Sequence, residues 1–196
     1  MGRPKHSGGA ARPLTDSEVK RLLIVTSNPD QMNSRRNTML LKTLLMTASR
    51  IGECVSLRVD SVYSGTDIFP SLVFRKTKTG ATRRIPINKA LQSELKSYIE
   101  QSLLDLDDPL FPSTKGKRFL SASAGSLFVK NLLRSAGIPD ASAHSTRKYA
   151  LNSLLKMNVD LQTIKMISGH KNLSSLQHYL SSTSLEVEEA INLIRV

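Results

Sequence analysis

The C-terminal third of the chain contains side chains that together could act on a phosphodiester: His144, Arg147, His170 and Tyr179. His144 and Arg147 are three residues apart at a predicted helix start, so both project from one face, where the free N–H groups of the helix also favour an anion. Tyrosine is a poor nucleophile at its ordinary pKa of ~10, so it requires nearby cations that stabilise the phenolate. The residue types therefore predict a reaction in which arginine holds the phosphate and the tyrosine hydroxyl attacks it.

Each of these residues has an ordinary structural explanation when it is taken alone. A histidine and an arginine three apart on a helix are more often surface residues than a site. His170 could cap a helix, and Tyr179 could be a core residue. The hypothesis therefore depends on the joint occurrence of the four residues.

The acidic residues do not favour a metal-dependent reaction. Two-metal nucleases use clustered carboxylates, and the chain has acidic clusters at residues 105–108 and 186–189. The first lies beside a proline in a predicted turn and the second on a predicted tail helix, which is typical of solvated surface. The histidines also lack the tight spacing of metal ligands. The sequence therefore predicts no metal and no cofactor.

The charge balance indicates a polyanionic partner. Lysine and arginine number 28 against 16 acidic residues in 196, a net charge of +12, which fits nucleic acid or an anionic membrane surface. No apolar run reaches the ~20 residues of a membrane span, and the N-terminus lacks the apolar segment of a secretory signal. A single cysteine, Cys54, excludes an internal disulfide framework and fits a reducing compartment. We expect a cytosolic or nuclear protein with one core, in which Cys54 is buried.

Helices are predicted to carry most of the candidate residues. Thr15 and Glu18 have the spacing of a capping box, with Leu14 available as a hydrophobic staple, so an ordered domain is expected to begin here. A second helix is predicted from residue 36 to about 48, and its apolar residues nearly encircle it, which indicates burial. Further helices are predicted with Leu91, Leu95, Ile99 and Leu103 on one stripe, before Gly137, from His144 to about Met157, from the N-cap Asp160 to about Ser168, and around Tyr179.

One segment between these helices has the pattern of strands. Two β-prone runs flank the sequence TKTG, which predicts a hairpin with Gly80 in its turn. From residue 68 to residue 93 there are six basic residues and no acid, so the hairpin cannot be buried on both faces. We expect four of its basic side chains to contact DNA: Arg75, Lys76, Arg83 and Arg84. The predicted fold class is mainly α with a small antiparallel hairpin or sheet.

The order of these motifs resembles a known family. ASRIGECVSLRVDSV, TKTG in a hairpin, HSTR, SGH and a tyrosine nine residues later together resemble the catalytic domain of the tyrosine recombinases, the phage integrase family. The resemblance covers residues 14 to 179. It implies a mainly helical catalytic domain that cuts and rejoins DNA without metal or ATP, through a 3′-phosphotyrosyl intermediate.

The resemblance also implies a role for each residue that matches a family motif. Arg50 matches the first catalytic arginine, and Glu53 matches a structural acid beside it. Lys78, with Lys76 as an alternative, matches the hairpin lysine that protonates the leaving 5′-hydroxyl. The phosphate-binding and proton-handling residues and the nucleophile are matched by His144, Arg147, His170 and Tyr179.

We therefore expect a flexible basic arm at residues 1–13, a catalytic domain at 14–180 and an amphipathic tail helix at 181–196. The expected function is that of a site-specific recombinase of the integrase, invertase or resolvase type, in the cytoplasm and associated with double-stranded DNA. The family's exchange of C-terminal segments implies a dimer to tetramer on DNA, with the tail on a neighbouring protomer or on its own domain. The alternatives are a DNA-binding regulator without activity and a type IB topoisomerase.

Three features differ from the usual family pattern. Lys148 follows Arg147 where the family usually has histidine, and Ser168 stands where leucine commonly precedes Gly-His. No separate domain for clamping DNA precedes the catalytic segment. The chain is therefore expected to be a fragment or a compact recombinase similar to the small fimbrial invertases.

Overall fold

The first helix begins where the sequence predicts, because side chains cap its N-terminal N–H groups. The structure, a computed structural model, describes residues 11–29, 33–74, 82–114 and 116–177. Helix α1 spans Asp16–Thr26. The Glu18 N–H donates to Thr15 Oγ1 at 3.3 Å, and the Thr15 N–H donates to Glu18 Oε2 at 2.8 Å, so the predicted capping box is confirmed. Leu14 is buried beside it.

Helix α2 is the centre of the core, as its apolar sequence predicts. It spans Ser34–Thr47, and Leu40, Leu41 and Leu44 are each 0% exposed. Helix α1 packs against it, as do two later helices, α3 (Ile51–Val55) and α4 (Lys89–Gln101). The helix ends at Ala48, whose φ of 49° turns the chain out of the helical path toward Arg50.

The segment after Arg50 is more regular than the sequence indicates. Helix α3 begins directly after Arg50, where the Arg50 N–H donates to Glu53 Oε2 at 2.8 Å. A 3₁₀ turn at Val59–Ser61 follows it. Cys54 is fully buried, as predicted. A buried carboxylate thus caps the helix that carries it.

The predicted strands form a two-stranded antiparallel sheet. Strand β1 is Ser71–Phe74 and strand β2 is Arg83–Pro86, with Phe74 opposite Arg83 and Leu72 opposite Ile85. On β2, Arg83 and Ile85 are buried, whereas Arg84 and Pro86 are exposed. The predicted turn, with Gly80, lies outside the described residues.

Helices α4 and α5 close the first unit of the fold. The side chain of Asn88 caps α4, which ends at Gln101. The sequence prediction placed Leu103 on its apolar stripe, but Leu103 has a φ of 52° and is 86% exposed because it lies in the turn beyond the helix. Helix α5 is Ala122–Ser135, packs against α1 and α3, and ends before Gly137, whose φ is 72°.

The chain divides into two compact units, residues 1–150 and residues 151–196. Helix α6 (Ala143–Lys156) has residues in both. In the second unit, α7 (Leu161–Ser168) is capped by Asp160, as predicted, and packs against α8 (Leu173–Gln177). Within the described residues, no helix is both long enough and apolar enough to span a membrane. The mainly helical fold with one small antiparallel sheet is confirmed.

Candidate active site

A buried carboxylate, Glu53, links two arginines that come from different elements. Arg50 Nη1 lies 3.0 Å from Glu53 Oε1, and Arg83 Nη2 lies 2.6 Å from Glu53 Oε2. The Glu53 and Arg83 side chains are 5% and 8% exposed, whereas Arg50 is 27% exposed. Glu53 thus fixes Arg50 to the protein on one side while the guanidinium stays accessible on the other.

Arg83 lies in the interior of the first unit, although the sequence analysis expected it on a DNA-facing surface. Strand alternation explains the difference, because residues 83 and 85 share the buried face of β2 and residue 84 the exposed one. Its guanidinium carbon lies 5.1 Å from the centre of the Phe74 ring. Burial lowers the pKa of Arg83, and the Glu53 carboxylate opposes that shift. Arginine nevertheless stays charged, since its pKa lies far above neutrality.

Helix α6 supplies two further candidate residues from its first turn. Arg147 is 2% exposed and donates through Nη1 to the carbonyl oxygen of Ala48, at the end of α2. His144 is exposed, and its N–H donates to Ser142 Oγ at 3.3 Å. The start of the helix therefore presents an accessible imidazole and, three residues later, a buried guanidinium.

Three of the predicted residues, Arg50, His144 and Arg147, line a single cavity of about 210 Å³ in the first unit. The other lining residues are Ser49, Ile51, Ser126, Lys130, Ser142 and Ala143. None of these described lining residues is acidic, whereas three carry a permanent positive charge. A cavity with this lining favours an anion with several oxygen acceptors, such as a phosphodiester.

Lys130 and Ser126 were not singled out by the sequence analysis. They lie four residues apart on α5, so they share a face of that helix. The sequence does show this spacing, but it does not show that the face meets the start of α6. Lys130 is exposed and forms no ion pair with any described residue.

His170 lies in the second unit, at the end of α7. Its Nδ1 is 2.8 Å from the hydroxyl of Ser168, which donates its own proton to Lys165 O at 3.1 Å. Because a hydroxyl has one proton and this one goes to Lys165 O, Nδ1 donates its hydrogen to the Ser168 oxygen in this arrangement. Ser168 therefore orients the His170 ring, which is partly exposed.

The other predicted site residues fall into two groups. Arg84 is exposed and donates to Ser71 Oγ at 3.0 Å. The hairpin residues and the predicted nucleophile lie outside the described residues: Arg75, Lys76, Lys78 and Tyr179.

The remaining tyrosines and acids have structural partners. Tyr98 is buried and donates to Leu110 O at 2.8 Å, while Tyr149 donates to Asp16 at 2.9 Å. Asp108, expected on the surface, is 5% exposed because it accepts the Asp105 N–H and pairs with Lys117. Within the described residues, no group of three or more acids, histidines or cysteines has a geometry suited to a metal ion.

Comparison with known proteins gives one matching family. The family described as the phage integrase family matches residues 12–186. Among curated proteins, the chain is 28% identical to tyrosine recombinase XerA of Pyrococcus horikoshii, covering 97% of the chain and 64% of that protein. It is 27% identical to tyrosine recombinase XerC of Roseiflexus sp., covering 90% of the chain and 57% of that protein. The chain thus spans less than two thirds of the length of these relatives.

Solved structures share the fold. The crystal structure of XerA recombinase superimposes with a TM-score of 0.77 at 22% identity, covering 100% of this chain and 68% of that one. The XerH site-specific recombinase bound to a palindromic difH substrate also gives a TM-score of 0.77, at 21% identity, covering 95% of this chain and 54% of that one. At this identity, the likeness establishes the fold alone.

Proposed function

Because the chain belongs to the phage integrase family, we propose that it cleaves and rejoins double-stranded DNA as a site-specific tyrosine recombinase of the integrase, invertase or resolvase type. The observation that carries the proposal is the cavity lined by Arg50, His144 and Arg147, which has no acidic residue among its described lining. Such a protein would act in the cytoplasm, on cellular DNA or on the DNA of a mobile element.

The cavity binds the scissile phosphate in this proposal. A guanidinium has five N–H donors, so Arg50 can remain fixed to Glu53, and Arg147 to Ala48 O, while each also contacts a non-bridging oxygen. Arg147 is almost fully buried, and a charge contact is stronger where water is excluded. The two arginines thereby stabilise the added negative charge of the pentacovalent transition state.

The nucleophile and the proton donors come from the family motifs. The Tyr179 oxygen attacks phosphorus and loses its proton, the bond from phosphorus to the 5′-oxygen breaks, and the leaving oxygen takes a proton from Lys78. One of the histidines, His144 or His170, accepts the proton that Tyr179 loses, and the other donates a hydrogen bond to the phosphate. The product is a 3′-phosphotyrosyl ester and a free 5′-hydroxyl. Attack by a 5′-hydroxyl on that ester reverses the step, so the bond energy is retained.

A nicked suicide duplex tests this proposal. The nick releases the short 5′-hydroxyl fragment, so a covalent adduct accumulates and is resolved on a denaturing gel. The duplexes are taken from the DNA that flanks the gene. We expect an adduct with the wild type and with Tyr63→Phe, a matched tyrosine away from the cavity, and none with Tyr179→Phe. An adduct that persists in Tyr179→Phe would assign the nucleophile to another residue.

The same assay separates the alternatives. A regulator without activity would bind the duplexes in a salt-dependent manner and form no adduct in any variant. A type IB topoisomerase would relax a supercoiled plasmid that contains none of the tested flanking DNA. A recombinase forms the adduct on its own site and leaves that plasmid supercoiled.

We also propose that recombination uses a dimer to tetramer on DNA, joined by residues 185–196. The sequence of this tail is amphipathic, with Leu185, Ile191 and Ile194 available for a partner surface, and Ile191 and Ile194 share a helix face because they are three residues apart. Such a face can dock in a groove of a neighbouring protomer. Deleting residues 185–196 should reduce the number of protomers per DNA complex in a native gel, while binding of a single protomer persists. Unchanged complexes would place the tail on its own domain.

A further inference from the structure

We propose that Arg83 is a positioning residue for the reaction, and that it fixes Arg50 through the carboxylate that both arginines share. The proposal rests on the recombinase chemistry proposed above. It gives Arg83 a role in catalysis without contact with DNA, which suits a side chain that is 8% exposed.

The geometry of the carboxylate carries the proposal. Glu53 Oε2 accepts from Arg83 Nη2 at 2.6 Å and from the Arg50 N–H at 2.8 Å. Its other oxygen, Oε1, accepts from Arg50 Nη1 at 3.0 Å. Three donors thus hold both oxygens and define the plane of the carboxylate, and Arg83 supplies the one that does not come from Arg50. That plane in turn sets the direction in which the Arg50 guanidinium points into the cavity.

Arg83 is itself held rigidly. It is opposite Phe74 in the sheet register, and its guanidinium lies over the Phe74 ring with 5.1 Å between the guanidinium carbon and the ring centre. A strand and an aromatic ring therefore anchor the far side of the ion pair. The hairpin strand β2 is in this way coupled to helix α3, which Arg50 caps.

Loss of Arg83 would change what Arg50 does. Among the described residues, the buried Glu53 carboxylate would then have Arg50 as its only cation. Removing one partner of a buried ion pair leaves charge that is costly to leave uncompensated. Arg50 would be drawn toward neutralising Glu53, and the carboxylate would be free to rotate. A displacement of about 1 Å at a reacting phosphate is enough to lower a rate by about 100-fold.

Lysine at position 83 should preserve only part of the positioning role of Arg83. A lysine has the same charge but no planar fork, so it cannot keep the carboxylate plane as firmly. We therefore expect single-turnover cleavage of the nicked duplex to fall by about 10- to 100-fold in Arg83→Gln and by less in Arg83→Lys, at unchanged DNA affinity. The control is Arg58→Gln, an exposed arginine paired with Asp107, which should cleave at the wild-type rate.

Two further readouts distinguish positioning from general damage. Because Arg83 acts through Arg50, Arg83→Gln should add little to the defect of Arg50→Gln in the double variant. A duplex with a methylphosphonate at the scissile position carries no charge there, so its cleavage depends less on the positive charge of Arg50. The loss of cleavage rate in Arg83→Gln should therefore be smaller on this duplex than on the ordinary one. Full additivity with Arg50→Gln, or an equal deficit on both duplexes, would overturn the proposal.

A measurement without DNA separates this proposal from the proposed function. In ¹⁵N-labelled protein, the guanidinium N–H resonances of Arg50 should be resolved in the wild type and averaged by rotation in Arg83→Gln. The Arg12 guanidinium, which binds Glu18 and Asp140, is the internal reference. If Arg83→Gln does not fold, Arg83→Lys gives the same comparison with a smaller change. Identical Arg50 resonances in the variant would overturn the positioning role, even if the wild type cleaves DNA.

Discussion

The hydroxyl of Ser168 lies 2.8 Å from Nδ1 of His170 and donates to Lys165 O, so it accepts the hydrogen of the imidazole. Ser168 is fully buried, and it precedes Gly169, whose φ of 67° ends α7. Leucine, the residue that commonly stands here in the family, could not accept this bond. The orientation of His170 in this chain therefore depends on a hydroxyl.

Ser168→Ala should slow cleavage by about tenfold, since a lost hydrogen bond to the ring is worth on the order of 1 kcal/mol and the ring is no longer oriented. The rate is measured by single turnover on the nicked duplex. The control is Ser174→Ala, which removes an exposed hydroxyl bonded to Asn172 in the same unit. Equal rates in Ser168→Ala and the wild type, with His170→Ala inactive, would show that the serine does not orient the ring.

Gly125→Ala should destabilise the protein by about 1–3 kcal/mol through overpacking. A Cβ at Gly125 on α5 would lie 3.0 Å from the Ile51 side chain and 3.2 Å from the Val55 side chain, so these contacts on α3 would have to shift by a few tenths of an ångström. Gly52→Ala is the control, because its Cβ would meet Ala122 at an ordinary 3.5 Å. Denaturant unfolding measures the stability of both variants. An equal loss of unfolding free energy in both would mean that helix propensity, and not the contact with α3, determines the effect.

The ion pair of Glu18 should make stability depend on acid pH. Hydrogen bonds from Arg12 are the largest cause that lowers the pKa of Glu18 from 4.5 to about 2. A lowered pKa in the folded state stabilises the protein above pH 4.5, and this contribution is lost as pH falls toward 2. Because the Arg12 side chain is 38% exposed, solvent screens the pair and we expect about 1–2 kcal/mol.

Glu18→Gln tests this expectation by urea unfolding between pH 6 and pH 2.5. The difference in unfolding free energy between the wild type and the variant should shrink as the pH falls. Arg12→Gln should remove most of this pH-dependent part, since Arg12 is the largest cause that lowers the Glu18 pKa, together with the part from Asp140, whose pKa Arg12 also lowers. A constant difference across this range would show that the pair does not contribute through its charge.

Lys130→Gln should weaken DNA binding and reduce the salt dependence of log K by about one phosphate contact. Lys130 lines the cavity and has no ion pair among the described residues, so its charge is available for a phosphate. Lys96→Gln is the control, because Lys96 lies 3.5 Å from Asp67 and away from the cavity. An equal salt slope in Lys130→Gln and the wild type would exclude the contact.

Local sequence signals predicted where the helices begin and end, because capping residues lie within a few positions of the helix ends that they stabilise. Thr15 and Glu18 cap α1, Asp160 caps α7, and Gly137 follows α5 with the positive φ that glycine favours. The apolar stripe predicted for α4 includes Leu103, which lies in the turn beyond the helix. Hydrophobic periodicity alone does not show where a turn replaces the last helical residue.

Contacts between distant elements could not be predicted in the same way. The pairing of Glu53 with Arg83 joins residues 30 positions apart, and the burial of Arg83 depends on the phase of strand β2 in the sheet. A run of basic residues suggests that every side chain in it faces solvent and DNA. In a strand, however, successive side chains point to opposite faces of the sheet. The same limit applies to Lys130, whose helix face meets the start of α6 only in the fold.

The acceptor that holds Arg147 is the main-chain carbonyl of Ala48, and every amino acid supplies that atom. A substitution at position 48 therefore changes the side chain but leaves the carbonyl oxygen that binds Arg147. What constrains the position is its φ of 49°, which glycine and asparagine adopt readily and β-branched residues do not. A library of codons at position 48 should accordingly retain Gly, Asn and Ala and lose Val, Ile and Thr.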